Sequence, residues 1–300
     1  MRYLRFFGIL SKVTGNEPGE IQAAKSSRGQ SYPGRKMDEH INTMKKQEVH
    51  IRGLRIGGGR SCICVPLTAK TLPLLDAELA SLAGHTYDMI EWRADLFEEI
   101  PDRKTLQDIL LRIRAAIGET PLLFTFRTKN EGGEGCCSGP KYRDLLLGAA
   151  ASCVVDLVDV ELFTAAGNAQ VLVGELHLLG TAVIGSSHDF SGTPSAQEMR
   201  SRLCRMQELG MDITKIAVMP RTRQDVLTLL SVAVEMEEHL GDRPCVTMAM
   251  GPLGVLTRIS GSLTGNAITF GTCGAASAPG QLPCNELADI LQWTHAREVR

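Results

Sequence analysis

Three residues in this chain offer carbonyl chemistry. Lys215 stands in Ile213-Thr214-Lys215-Ile216-Ala217-Val218-Met219-Pro220, a run that otherwise reads as a buried strand. An ammonium in an apolar wall is paired, reaches water at the strand mouth, or is reactive. Desolvation lowers a lysine pKa, and only the neutral amine attacks a carbonyl, so Lys215 is a candidate Schiff-base former. His188 lies in Gly185-Ser186-Ser187-His188-Asp189-Phe190. An imidazole at a strand end titrates near neutrality and can serve as general acid and base. Arg258 follows Met250-Gly251-Pro252-Leu253-Gly254-Val255-Leu256-Thr257 and carries a planar fork suited to a two-point grip on a carboxylate.

Further polar residues fall at regular places. Glu91, Arg93 and Asp95 alternate with apolar residues in Ile90-Glu91-Trp92-Arg93-Ala94-Asp95, which places all three on one strand face. Arg127 closes Phe124-Thr125-Phe126-Arg127-Thr128, and the loop after it carries Glu131-Gly132-Gly133-Glu134-Gly135. Near the C-terminus, Ala275-Ala276-Ser277-Ala278-Pro279-Gly280-Gln281 joins small residues to two polar tips, a composition suited to a mobile lid. Each feature alone also has a structural reading: a solvated strand face, an ordinary loop, a histidine that only packs. The other six histidines (His40, His50, His85, His177, His239, His295) fall in the tail, loops or helices and are read as structural.

These residues need a scaffold, and the hydrophobic pattern supplies one. Strand-like runs occur at Ser61–Pro66, Met89–Asp95, Leu122–Thr128, Leu157–Leu162, Ala182–Ser187, Ile213–Met219, Cys245–Met250 and Ala267–Gly271. Between them lie stretches with apolar residues three and four apart: Leu72–Leu82, Leu106–Ile117, Tyr142–Ala151, Ala169–Leu179, Ala196–Leu209, Gln224–His239 and Asn285–Trp293. Eight such units in about 250 residues predict an α/β fold, a (β/α)8 TIM barrel. A doubly wound sheet is the other possibility, but no glycine-rich phosphate fingerprint follows the first strand. Alternation from Val49 to Ile56, followed by Gly57-Gly58-Gly59, predicts a short N-terminal β-hairpin. In a barrel, catalytic groups sit at the C-terminal strand ends and in the loops beyond them, which is where the residues above fall.

Composition narrows the function classes. Residues 48–300 are assigned to one catalytic barrel domain. Residues 1–47 carry nine Lys/Arg against four Asp/Glu with no sustained periodicity, and are read as a flexible basic extension. The net charge of −2 offers no field for nucleic acid, and no apolar run is long enough to span a membrane. Nine cysteines, an odd number with no CxxC pair, suggest reduced thiols in a cytoplasmic protein. No HExxH or Cys/His spacing appears, so no metal site is expected.

With these residues in place, the chain resembles the type I 3-dehydroquinate dehydratases of the shikimate pathway. The resemblance runs from about Val49 to the end. It rests on Glu91-Trp92-Arg93-Ala94-Asp95, Phe124-Thr125-Phe126-Arg127 with Glu131-Gly132-Gly133, Ser186-Ser187-His188-Asp189-Phe190, Lys215 to Pro220, and Ser277-Ala278-Pro279-Gly280-Gln281. It implies a lyase of aromatic amino acid biosynthesis that acts on 3-dehydroquinate without cofactor or metal, as a homodimer. It further implies that Lys215 forms the Schiff base, His188 is the acid and base, Glu131 orients that histidine, and Arg258 binds the substrate carboxylate. Glu91, Arg93 and Arg127 are implied to hold ring hydroxyls, and Ser277 and Gln281 to make lid contacts. The basic extension and the Cys136-Cys137 pair depart from the family pattern.

On this reading Arg93, Arg127 and a protonated His188 surround Lys215 and favour its neutral amine. Two rivals stand beside it. One is a class I aldolase or transaldolase, which uses the same iminium but usually holds a phosphate. The other is an inactive barrel kept as a binding module.

Overall fold

The computed structural model of the chain describes residues 46–98, 102–137, 139–165, 168–274 and 278–298; the basic extension up to residue 45 and Ser277 lie outside them. The described part opens with a hairpin of β1 (Val49–Ile51) and β2 (Leu54–Ile56). Its turn is Arg52-Gly53, both at positive φ (44° and 80°), the two-residue turn whose twist suits a hairpin. The triple glycine, expected to make the turn, instead leads the chain on to the next strand.

Eight parallel strands follow: β3 (Cys62–Leu67), β4 (Met89–Arg93), β5 (Leu122–Thr125), β6 (Leu157–Glu161), β7 (Ala182–Asp189), β8 (Ile213–Val218), β9 (Cys245–Ala249) and β10 (Ile268–Thr272). Each pairs in parallel with the next from β3 to β9, and β10 pairs with β3. The ring closes at a seam between β9 and β10. There Cys245 bridges Asn266, and the Asn266 side chain accepts from the Thr247 N–H at 2.8 Å. A two-residue strand, β11 (Leu282–Pro283), lies along the end of β10.

Helices α1 (Leu72–Ser81), α2 (Arg103–Ile117), α3 (Gly139–Ala150), α4 (Ala169–Leu178), α5 (Ala196–Glu208) and α6 (Arg223–Glu235) fill the crossovers. Their starts are set by side chains. Asp102 accepts from the Lys104 and Thr105 N–H groups, Ser195 accepts from Glu198, and Thr222 forms a capping box with Asp225. The last crossover holds only two short pieces, α7 (Val255–Ile259) and α8 (Gly261–Thr264), which explains the lack of long periodicity between residues 250 and 267. Helix α9 (Cys284–Glu298) ends the described chain.

The pleat sorts every strand into two faces. Outward residues such as Ile90, Trp92, Phe124, Val158, Val160 and Ile216 pack with the helices in the larger apolar cluster. Inward residues start apolar: Met89, Leu123, Leu157, Ile184, Ile213 and Val246 form a second cluster at the strand starts, with Ile56, Val49, Ile51 and Leu54 of the hairpin packed against it. The hairpin thus plugs the N-terminal end of the barrel. Two residues further along β4 to β8 the inward position turns polar, giving Glu91, Thr125, Asp159, Ser186 and Lys215, all buried. A sealed apolar floor therefore carries a layer of buried polar groups, and the catalytic face lies above it.

Candidate active site

Lys215 sits mid-strand in β8 with 4% of its surface exposed. Its Nζ lies 3.4 Å from Asp159 Oδ2 and 4.6 Å from the centre of the Phe270 ring. The expected ring of cations is therefore interrupted by a carboxylate. Burial works against ionisation of Asp159, but Arg127, Lys215 and the Ser186 hydroxyl more than offset it and hold the carboxyl below its usual range.

Arg127 lies just beyond β5, which stops at Thr125 rather than Thr128. Its Nη2 donates to Asp159 at 2.7 Å, and its Nη1 to Glu161 at 3.0 Å and to the Ser186 hydroxyl at 2.9 Å. Burial opposes its charge, but Asp159, Glu161 and Glu131 together raise its pKa above the ordinary arginine value. Glu161 also accepts from the Thr128 N–H at 2.8 Å and from the Thr128 and Thr164 hydroxyls. Asp159, Glu161 and Ser186 thus tie three strands together under the site. Leu157-Val158-Asp159-Val160-Glu161 shows the same alternation that drew attention to Glu91 and Arg93, so the signal for both carboxylates was present in the sequence and went unread.

His188, on β7, is oriented from one side. Its ring Nδ1 is 2.9 Å from Glu131 Oε2, and its backbone N–H donates to the same oxygen at 3.1 Å. Glu131 ends a 3-10 turn (Lys129–Glu131) in a tight loop. That loop is closed by hydrogen bonds from Gly133 N–H to Thr128 O at 2.9 Å and from Gly135 N–H to Arg127 O at 3.0 Å. A Cβ at Gly133 would come within 2.2 Å of the Arg127 carbonyl, so the close turn that aims Glu131 needs glycine there. Burial, with Arg127, Lys215 and Arg93 adding repulsion, holds the His188 pKa well below 6.5. These surroundings favour a neutral imidazole beside Lys215 over the protonated one expected from the sequence. Glu131 is pushed up to about 8 by burial and by Glu161 and Asp159, against the pull of Arg127.

Glu91 Oε1 accepts from the Thr125 hydroxyl at 2.7 Å. Arg93 ends β4, and Asp95 is not on the strand with it but in the 3-10 turn Ala94–Leu96. From there Asp95 accepts both Arg93 Nε and Nη2 at 2.8 Å, and this bidentate pair is what turns the chain out of the strand.

Arg258 differs from the other cations. It is 1% exposed, and its Nη groups donate to two carbonyls, Phe270 O at 3.5 Å and Pro279 O at 3.2 Å. Its Nε has no hydrogen-bond partner, and burial alone lowers its pKa to about 10. A buried guanidinium with no nearby carboxylate among the described residues is a ready receptor for an anion. Gly251 N–H donates to Pro279 O at 3.0 Å, which docks the described end of the lid segment above Arg258.

Glu91, Arg93, Arg127, Glu131, His188, Lys215, Arg258 and Gln281 all line one cavity of about 250 Å³ at the open end of the barrel. A larger groove of about 890 Å³ lies outside the barrel along α2, α3 and α4 and holds none of these groups. The cavity brings together an amine, an imidazole and a buried guanidinium. The family model described as Type I 3-dehydroquinase matches residues 63–298. This chain belongs to the type I 3-dehydroquinases. Among members of that family, a 3-dehydroquinate dehydratase of Syntrophotalea carbinolica is 46% identical over 247 residues, covering 82% of this chain and 98% of that protein. The Salmonella typhimurium enzyme is 43% identical over 247 residues, with the same two coverages. A solved type I 3-dehydroquinate dehydratase from Clostridium difficile, described with covalently modified comenic acid, superposes with a TM-score of 0.81 at 42% identity, covering 84% of this chain and 99% of that one. As a 3-dehydroquinase, the chain has the parallel barrel and N-terminal hairpin expected from its sequence. Among the described residues, no helix is long and apolar enough to cross a membrane.

Proposed function

We propose that this type I 3-dehydroquinase dehydrates 3-dehydroquinate to 3-dehydroshikimate through an imine on Lys215. Lys215 Nζ attacks the C3 ketone, and loss of water gives an iminium. That iminium draws electrons from the neighbouring C2–H bond. His188, neutral and backed by Glu131, takes the C2 proton, and an enamine forms. The enamine pushes out the C1 hydroxyl, to which His188 returns the proton, so the released molecule is water. One imidazole serving both steps requires both groups to leave from one face, which makes the elimination syn. Hydrolysis of the product imine frees Lys215.

Arg258 holds the substrate carboxylate and fixes which face of the ring meets His188. Glu91, Arg93 and Arg127 lie around the same cavity for the ring hydroxyls, with Gln281 at its edge; the lid contact expected of Ser277 falls outside the described residues. The observation that carries the reading is the pairing of a buried lysine with a buried, ion-pair-free arginine in one small cavity. A phosphate-binding aldolase has less use for that pairing than an enzyme taking a carboxylate. We also take the protein to be a cytoplasmic homodimer whose catalytic domain is residues 48–300, with Lys46 and Gln47 already bonded to it through Glu237 and the Asp242 carbonyl; its nine cysteines are all free. Sedimentation would give the assembly.

The test is borohydride reduction with 3-dehydroquinate, intact mass and peptide mapping. An adduct on Lys215, absent in Lys215→Ala, supports the proposal. An adduct on another lysine, or none on folded protein, overturns it.

A further inference from the structure

A second group of reactive side chains gathers outside the barrel wall, between the end of β10 and the start of α9. Cys273 follows β10 directly, and Cys284 opens α9. The short β11 lies beside the end of β10, with Gly271 opposite Leu282 and Thr272 opposite Pro283, and this brings the two cysteines side by side. Their sulfurs are 2.9 Å apart. The third member, His85, comes from the loop between α1 and β4. That loop is pinned to the start of α9 by a hydrogen bond from the Thr86 N–H to the Asn285 side chain at 2.8 Å. The ligand atoms of His85, Cys273 and Cys284 all lie within 4.8 Å of one another. His85 Nδ1 is buried and has no hydrogen-bond partner.

We propose that His85, Cys273 and Cys284 form a binding site for a soft divalent transition-metal ion, with zinc the best match. Two thiolates and one imidazole are the donors that borderline-soft ions select, and they offer no oxygen set for magnesium or calcium. Two thiolates neutralise a divalent ion, which suits a place where Cys284 is fully buried and the other two are half-buried. In a tetrahedral centre with Zn–S near 2.3 Å the sulfurs stand about 3.8 Å apart, so the thiols need separate by only about 0.9 Å. Water fills the fourth position from the half-exposed side. Binding is an exchange without electron transfer: each thiol releases one proton to solvent as its sulfur takes the ion. Because each thiol must give up its proton to bind, affinity should rise with pH. Spacing rules could not find this site, because the two cysteines are eleven residues apart rather than in a short motif, and His85 lies in a distant part of the chain.

The orphan imidazole separates this reading from its rival. The same two sulfurs could be oxidised to a disulfide, but a disulfide gives His85 nothing to do. An ion held by all three would clip both ends of the segment 274–283 to the loop before β4.

The test uses the full chain, reduced with a non-thiol phosphine and stripped with a chelator, then titrated with cobalt(II). The expected result is sulfur-to-cobalt charge-transfer absorption with tetrahedral visible bands, saturating at one equivalent and displaced by zinc. Losing an outer-shell partner typically weakens a metal site about 10- to 100-fold, so losing a ligand in Cys273→Ser, Cys284→Ser or His85→Ala should cost more than about 100-fold. Cys136→Ser/Cys137→Ser should leave the spectrum unchanged. Amide exchange of residues 272–284 should slow on zinc loading, a readout independent of dehydratase activity. No charge-transfer band, a band that survives Cys273→Ser and Cys284→Ser, or His85→Ala binding as tightly as the parent overturns the proposal. So does protein that forms a Cys273–Cys284 disulfide and, once reduced, takes no metal.

Discussion

Arg258 should be a burden to the empty enzyme and an asset to the loaded one. Burial lowers its pKa from the ordinary arginine value to about 10, with no carboxylate among the described residues to compensate. At about 1.4 kcal/mol per unit, keeping that charge costs the folded state on the order of 3 kcal/mol. The sign follows from linkage. A base whose pKa falls on folding is destabilised in its charged form, so the cost is present at every pH below about 10 and is relieved only above it. Arg258→Met keeps most of the stem volume and removes the charge. It also loses two bonds to carbonyls, each worth about 1 kcal/mol. The net expectation is a gain of about 1 kcal/mol, or roughly 2–4 °C in the Tm of the substrate-free protein. Binding should move the other way. Removing one partner of a desolvated charge pair costs about 2–5 kcal/mol, a rise in KM between roughly 30- and 5,000-fold. Thermal unfolding without ligand and steady-state kinetics on the same preparation read both effects. A variant that melts earlier yet keeps its KM would show that Arg258 only props the fold, and the carboxylate assignment would fall.

Three further outcomes are expected. His188→Ala should still give the borohydride-trapped adduct but lose about 10²–10⁴ in turnover, and normal turnover would remove His188 from the mechanism. Because burial and nearby cations hold the His188 pKa well below 6.5, an NMR titration of its imidazole should show it still neutral at pH 6.5; protonation at or above that pH would contradict the burial and repulsion argument. Asp159→Asn removes the carboxylate that accepts Arg127 at 2.7 Å and faces Lys215 at 3.4 Å. Glu161 remains 3.0 Å from Arg127, so the loss should fall near the lower end of the range for breaking a buried pair, about 3 kcal/mol. Denaturant midpoints would read it, and an unchanged midpoint would mean that Asp159 does not hold the strands together.

The barrel was legible because its signals are local and repeated. Each strand is a short apolar run, and each long helix carries its own period. The misread points are those where a side chain overrides the local pattern. Asp95 alternates as if on β4, yet its two bonds from Arg93 curl the chain into a 3-10 turn. Arg127 looked like a strand residue, but its bonds to carboxylates on β6 hold it past the end of β5. Lys215, His188 and Arg258 stood out because each is a polar residue in an apolar or small-residue setting. Asp159 and Glu161 did not, since their meaning lies in a partner some thirty residues away that only the closed ring brings near. The protonation of His188 was misjudged for the same reason: the cations that repel its proton come from β4, β5 and β8.

The hairpin plug has a consequence for traffic. With Ile56 and its neighbours packed against the strand starts, the barrel has no rear exit. Substrate, product and the water that cleaves the final imine must all pass through the same mouth, beneath the segment docked on Gly251. Arrivals and departures therefore cannot overlap, and the cavity must empty before it refills. Product waiting at that mouth competes directly with substrate, and the pace at which the doorway clears sets an upper bound on the cycle however fast the chemistry inside.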